Sequence, residues 1–353
     1  MSNSCSTAPV AKPPRFRLIT RKAAKRLAVL FAAIALGLAW CWWSMIRMPG
    51  RSHTGELSPL TDPQRATADQ LRGDVQMLAG TIGQRSTFYP RAFAESAQHI
   101  WRELEAAGYT PREHSFVQRG TTVPNIDVVL PGTSHPDEVI LVGAHFDTYQ
   151  GTPGADDNAS GVAATLALAR HFAGTPQPRT IRFAFFVNEE PPAFWTGDMG
   201  SWVYAKKCRA DGDEIVAMLS LESIGYYSDE RGSQKYPPPL SLCYPDTGNF
   251  IGIVGNVSNR SLVRSCVGRW REQTPFPSQG AALPSLLPGV GWSDHWSFWK
   301  EGYPAVMITG TAPFRNPNYH QATDTPETLD YERMARVVDG LDDLVIHLAG
   351  GQP

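Results

Sequence analysis

The chain predicts an α/β fold: a three-layer sandwich with a central mixed, mostly parallel β-sheet, preceded by one N-terminal transmembrane helix. Three observations carry this. Strand-like apolar runs alternate with helical ones from residue 139 onward, acids and histidines collect at the ends of those runs, and one uncharged run of twenty residues stands near the start. Strands that alternate with helices pair largely in parallel between helical layers.

The first 26 residues carry seven basic side chains and no acid, which leaves 25 basic against 34 acidic residues, a formal charge of −9, in the rest. An acidic body without a basic stripe argues against nucleic acid as a partner. Leu27–Ile46 (LAVLFAAIALGLAWCWWSMI) is uncharged and apolar. At a helical rise of about 1.5 Å per residue it spans a hydrocarbon core of roughly 30 Å. Trp40, Trp42 and Trp43 sit towards its far end, where amphipathic rings favour the interface. The basic flank places residues 1–26 in the cytoplasm and the body across the membrane, in a periplasm, a lumen or the exterior. A cleaved signal peptide is the alternative, but the apolar run exceeds an h-region and no A-x-A site follows.

Residues 47–65 read as a polar, Pro-containing linker and 66–353 as the folded domain. Helical periodicity marks Thr67–Leu78 and Arg91–Ala107, the second closed by Gly108. Then come a strand at Val139–Ala144, a helix at Ala159–Phe172, a strand at Thr180–Val187 and a helix at Ser201–Cys208. A strand at Ile215–Leu221, a helix at Ser261–Glu272, a strand at Ala305–Thr309 and a helix at Tyr331–Leu348 complete the order. Residues 228–249 form a Pro-rich insertion, either a pocket rim or a surface loop. Cys5 lies in the tail and Cys41 in the apolar run; Cys208, Cys243 and Cys266 lie outside, at no zinc-site spacing. A Cys243–Cys266 bridge is open in an oxidising compartment.

In folds of this class ligands bind beyond the carboxyl ends of the strands. His145 and Asp147 follow VILVGA, Glu189 and Glu190 follow TIRFAFFVN, and Glu222 completes IVAMLSL. Asp156 and Asp157 precede a helix, and His320 follows the last strand through GTAPFRNPNY. Each alone has a commoner structural reading: a satisfied histidine, a solvated acid pair, an N-cap. Their shared placement at strand ends is what points to a site, and Glu222 would be costly at the end of an apolar strand without a partner. Two imidazoles with several carboxylates suit zinc. They exceed one tetrahedral ion, and two ions sharing a carboxylate account for the surplus.

With those residues in place, the chain resembles the co-catalytic zinc peptidases of metallopeptidase family twenty-eight. That family includes bacterial leucyl aminopeptidases, with glutamate carboxypeptidase and glutaminyl cyclase as relatives. The matching stretches are GAHFDT (143–148), PGADDNASG (153–161), NEEPP (188–192), LESIGY (221–226), SDHWSFWKEGYPA (293–305) and YHQATDT (319–325). They span roughly residues 65–348. The resemblance implies a zinc aminopeptidase-like sandwich holding two zinc ions, bridged by Asp157. His145 and Glu222 would complete one ion, and Glu190 and His320 the other. Many relatives have Asp in the place of Glu222. Glu189 would be the general base, taking a proton from the attacking water and returning it to the leaving amine. Asp147 would orient His145 and fix its tautomer.

One departure is that Val290 stands where some aminopeptidases have a Tyr that helps hold the tetrahedral intermediate. Another donor must then serve, zinc or a Tyr or Trp nearby. Ser293, Asp294 and His295 shape the pocket, His295 either touching substrate or only hydrogen bonding. Trp195, Trp292, Trp296 and Phe298 line the pocket or fill the core. The expected activity is removal of N-terminal residues from peptides. The alternatives are a carboxypeptidase or dipeptidase, a one-zinc glutaminyl cyclase, and a receptor-like ectodomain without chemistry. Side-chain preference and oligomeric state are not legible.

Overall fold

The computed structural model describes Ala8 and residues 20–350. Most of the basic tail expected at 1–26, and Cys5, lie outside the described residues. The first helix, α1 (Arg21–Cys41), is capped by the Thr20 hydroxyl, which accepts from the Ala23 N–H, and a wider π-type turn continues it through Trp42–Ile46. Among the described residues one helix, Arg21–Ile46, is long and apolar enough to cross a membrane. No residue of α1 is buried.

Residues 44–353 form one compact unit. It is built on eight strands: β1 (Arg112–Gln118), β2 (Thr121–Leu130), β3 (His135–His145), β4 (Arg179–Phe186), β5 (Glu214–Glu222), β6 (Ile251–Asn256), β7 (Ser278–Leu283) and β8 (Ala305–Thr309). They make one sheet in the order β1-β2-β4-β3-β5-β8-β6-β7. The centre is parallel, with β3 between β4 and β5 and β8 beside β5; β1 and β2 form an antiparallel hairpin at one edge, and β6 runs antiparallel to β8. The predicted mixed sheet is therefore present.

Side-chain alternation sorts the strands onto two faces. Ile140, Val142 and Ala144 of β3 join Ile181, Phe183 and Phe185 of β4 in the larger core. That core is covered by α2 (Asp62–Val75), α3 (Pro90–Ala106), α4 (Gly161–Phe172), α6 (Arg260–Gln273) and α8 (Tyr331–Leu348). Val139, Leu141, Ala184 and Phe186 point the other way, onto Tyr204, Ala205 and Cys208 of α5 (Gly200–Asp211) and Phe298 of α7 (His295–Lys300). The capping pattern sets the helix starts: Thr61 and Gln64 form a reciprocal capping box ahead of α2, worth about 1 kcal/mol, and Pro90 opens α3. On α8, Met334, Val337, Val338, Leu341, Leu344 and Val345 recur at three and four residues and are all buried, so this helix packs as its sequence periodicity requires.

Residues 47–65, expected as a linker, are fastened to the body. Arg271 donates to the carbonyls of Pro49 (3.0 Å) and Gly50 (3.4 Å), and the Ser278 N–H donates to Ser52 Oγ at 2.9 Å. Arg264 and Arg336 donate to the carbonyls of Arg47 and Ser58. Cys208, Cys243 and Cys266 are free thiols, Cys243 exposed and the others buried, so the open 243–266 bridge is not formed.

Candidate metal centre

Seven of the eight acids and histidines singled out by the sequence, all but Asp156, converge beyond one end of the parallel strands. His145 and Glu222 are the last residues of the neighbouring strands β3 and β5, and Glu189 and Glu190 lie just past β4. Asp157 sits in the turn Ala155–Ser160 that leads into α4, and His320 in the loop after β8. Asn188, Ser223 and His320 take positive φ (57°, 48° and 57°), a conformation uncommon outside glycine though more accessible to Asn and His. Each is a proposed ligand or abuts one of the carboxylates at the site.

His145 is fully buried. Its Nδ1 lies 3.2 Å from the Asp147 carbonyl and 3.5 Å from Asp147 Oδ1. That turns Nε2 towards three carboxylates: Glu222 at 3.2 Å, Asp157 at 3.4 Å and Glu189 at 3.9 Å. Asp157 offers its other oxygen to His320 Nε2 at 3.1 Å, and Glu190 Oε1 lies 3.2 Å from the same nitrogen. The sites therefore resolve into two trios, His145–Asp157–Glu222 and Asp157–Glu190–His320, sharing one carboxylate.

Around them the polar groups are tied down. Asp147 accepts the N–H groups of Glu189 and Glu190, each at 3.1 Å. Glu222 accepts the hydroxyls of Ser223 (2.7 Å) and Ser293 (2.8 Å). Asp324 accepts the N–H groups of Asp156 (2.9 Å) and Asp157 (3.1 Å), and Asp156 is held by Asn316 and the Gly225 N–H. The ring of His320 is stacked between Tyr149 and Tyr319, at 4.0 and 3.9 Å. Asp324, Asn316, Tyr149 and Tyr319 were not assigned roles by the sequence. Asp324 and Tyr319 stand within the matched stretch 319–325, but only the fold shows what they touch.

The donors fit a cation. Glu190 Oε1 and His320 Nε2 are buried and have no hydrogen-bond partner, although they face each other. Burial, reinforced by the Asp157 charge, pushes Glu190 up to about 8. Burial likewise drives Glu189 well above the usual carboxylate range, although His145 pulls against it. Burial disfavours imidazolium at both histidines. The charges of Glu189 and Glu222 outweigh it at His145, which is raised well above its ordinary value; contacts with Asp157 and Glu190 raise His320 to about 10. A pocket that holds protons this tightly is short of positive charge. A third trio, Asp74, His99 and Glu103, already has its cation: Arg170 donates to both Asp74 oxygens (2.7 and 3.0 Å) and to Glu103 (2.8 Å).

Beside the centre opens a cavity whose lining includes Glu222 and Tyr319. Its walls are nearly all apolar, with Leu240, Phe250, Leu283, Met307 and Phe314 among them. The Pro-rich segment supplies Gln234, Tyr236, Pro237, Leu240 and Tyr244, so that insertion is a pocket wall. Trp292 and Val290 line it too, whereas Phe298 is core. Trp195 is 45% exposed and donates to the Gly291 carbonyl at 3.0 Å. His295 is fully buried, its Nε2 donating to the Val290 carbonyl at 2.8 Å.

The chain is similar to known proteins in sequence and in fold. Residues 125–345 match the sequence profile of peptidase family M28. The protein YfbL of Escherichia coli (strain K12) is 35% identical over 298 residues, covering 79% of this chain and 88% of that one. A probable leucine aminopeptidase of Trichophyton verrucosum is 26% identical over 309 residues, 81% of this chain and 74% of that one. BSAP, a zinc aminopeptidase from Bacillus subtilis, shares the fold with a TM-score of 0.65 at 15% identity, covering 80% of this chain and 95% of that one. The chain belongs to peptidase family M28 and is a metallopeptidase.

Proposed function

We propose that this chain is a two-zinc aminopeptidase that removes uncharged, bulky residues from the free N-terminus of peptides. The observation that carries the reading is the carboxylate of Asp157, which faces His145 with one oxygen and His320 with the other. His145, Asp157 and Glu222 would hold one ion, and Asp157, Glu190 and His320 the second. The pair would supply Lewis acidity, towards the scissile carbonyl and towards the water that attacks it.

The chain's own groups do the rest. Glu189 is buried, lies 3.9 Å from His145 Nε2 and belongs to neither trio, which leaves its carboxylate for proton transfer. It takes the proton of the attacking water and delivers it to the departing amine, one carboxylate serving as base and then acid. Asp147 sets this up twice over, orienting His145 from the Nδ1 side and gripping the main chain of Glu189 and Glu190. Tyr319 supplies the donor that Val290 cannot. Burial and the charges of Asp157 and Glu190 hold its phenol well above its ordinary pKa, so it stays a donor beside the developing oxyanion. The N-terminal side chain enters the apolar cavity, which has no charged lining residue except Glu222 at its mouth. The helix α1 anchors the enzyme, with the body on the far side of the membrane from its basic tail.

The test is hydrolysis of matched peptides with free and acetylated N-termini by the full chain in detergent, loaded with zinc, with Glu189→Gln as blank. Cleavage of the free peptides alone is the expected result. Cleavage of both would move the reading to a carboxypeptidase or endopeptidase. Cleavage of neither, with cyclisation of an N-terminal glutamine, would make the chain a glutaminyl cyclase.

A further inference from the structure

Beneath the centre lies a cation that the chemistry above does not use. Arg85 has no exposed surface, and its guanidinium is spent wholly on main-chain carbonyls. Nε donates to Phe146 (2.9 Å), Nη1 to Leu78 (3.0 Å), Gly83 (3.0 Å) and Pro153 (2.7 Å), and Nη2 to Gly154 (2.9 Å). Its own N–H donates to Thr148 Oγ1 at 3.0 Å, and its carbonyl accepts the Thr148 N–H at 2.7 Å. Those partners fall in three segments: the turn ending at Gly83, the loop directly after His145, and the loop directly before Asp156 and Asp157.

Among the described residues no carboxylate lies within ion-pair distance of Arg85, yet the charges of Asp324, Asp147 and Asp157 act on it. A buried cation without a paired anion is expensive. Here it lies under a pocket in which Asp147, Asp156, Asp157, Glu189, Glu190, Glu222, Asp294 and Asp324 are all buried. Gly154 makes room for it. At φ +62°, a Cβ there would stand 3.2 Å from Arg85 Nη2 and 2.4 Å from the Asp157 carbonyl oxygen.

We propose that Arg85 is a positioning residue of the metal centre: it clamps the loop after His145 to the loop before Asp157, fixing the separation of the imidazole and the shared carboxylate. The proposal rests on the metal reading given above. Arginine suits the task because its planar fork reaches several carbonyls at once, whereas lysine keeps the charge with a single ammonium head. Being wholly enclosed, Arg85 cannot touch substrate, so its loss should lower kcat and leave KM for a free-amine peptide unchanged.

The experiment compares full-length wild type, Arg85→Lys and Arg85→Met in detergent. It reads zinc affinity by chelator competition, the visible spectrum of the cobalt-substituted protein, and thermal unfolding without metal. Zinc affinity should fall by about 10- to 100-fold in Arg85→Lys, the usual loss when a partner that orients a ligand is removed, and further in Arg85→Met. The cobalt bands should shift, while Arg85→Lys still unfolds in one transition without metal. If Arg85→Lys folds and keeps wild-type affinity and cobalt bands, the proposal is wrong. If both variants fail to fold, Thr148→Val decides. It removes the hydroxyl that accepts the Arg85 N–H (3.0 Å) and donates to the Arg85 carbonyl (3.4 Å), and should weaken zinc binding in the same direction; unchanged binding would overturn the proposal. A wild-type chain that takes up no zinc would remove the metal reading itself, and this proposal with it.

Discussion

His320 Nε2 and Glu190 Oε1 stand 3.2 Å apart, buried and facing each other, without forming a hydrogen bond. Two such atoms in contact with no shared proton geometry are placed as two ligands of one cation are placed. The same nitrogen is 3.1 Å from Asp157, which also serves His145.

If Asp157 bridges, its loss should be felt by both ions. Metal analysis of the purified chain should find close to two zinc ions in the wild type and almost none in Asp157→Asn. Glu190→Gln or His320→Ala should keep one. An Asp157→Asn variant that retained one full equivalent would show that this carboxylate serves only a single ion.

Glu189 should behave differently from its neighbour. Glu189→Gln should reduce turnover by about 10²- to 10⁴-fold, the range for general acid–base groups, with zinc content unchanged. Parallel loss of zinc would make Glu189 a ligand.

The Tyr319 phenol can be tested by removing one oxygen. Tyr319→Phe keeps the stack on His320, so zinc content should hold. Turnover should fall by about 10²- to 10³-fold, as when an oxyanion donor is deleted, with little change in KM. A variant with full turnover would leave the oxyanion to other donors.

The cavity wall makes a prediction about selectivity. Leu240→Trp would fill space contributed by the Pro-rich segment. Peptides beginning with a large apolar residue should lose at least about tenfold in kcat/KM, since a misfit of this size costs 1–3 kcal/mol. Alanine-initiated peptides should be spared. Equal loss on both would put the side chain elsewhere.

His295 gives a pH dependence of stability. Burial holds its imidazole down to about 4, against roughly 6.5 in an unfolded chain. Between those values the unfolded chain binds a proton that the folded one refuses. Stability therefore falls as pH drops from about 6.5 to 4, by roughly 3 kcal/mol in full, and nothing is lost above. His295→Gln can still donate to the Val290 carbonyl, and denaturant unfolding should show a correspondingly smaller acid loss. An identical acid slope in both proteins would mean that His295 is not held neutral.

The sequence exposed the parts of this fold that local pattern encodes. The strand Ala305–Thr309 and the helix Tyr331–Leu348 are found at the residues their apolar patterns mark. β1 (REHSFVQ) was illegible because it is mostly exposed and polar, and β6 and β7 because IGIVGN and SQGAAL are short and rich in small residues. The site was legible where a ligand-type side chain ends an apolar strand, as His145 and Glu222 do. Arg85 left no such mark. It sits in a short polar loop, and its five acceptors are main-chain atoms brought together only by folding. Asp324 acts through the N–H groups of Asp156 and Asp157, which no side-chain pattern records.

The segment after the apolar helix has a consequence for the free chain. β7 is the last strand of the sheet, and Ser52 takes up the N–H of its first residue while Met48 covers Gly280. An open strand edge is a template for pairing with another copy. A body cut free beyond residue 53 would lose the Ser52 and Met48 cover at the start of that edge and should self-associate more readily than one released before Met48. The tether doubles as a guard against aggregation.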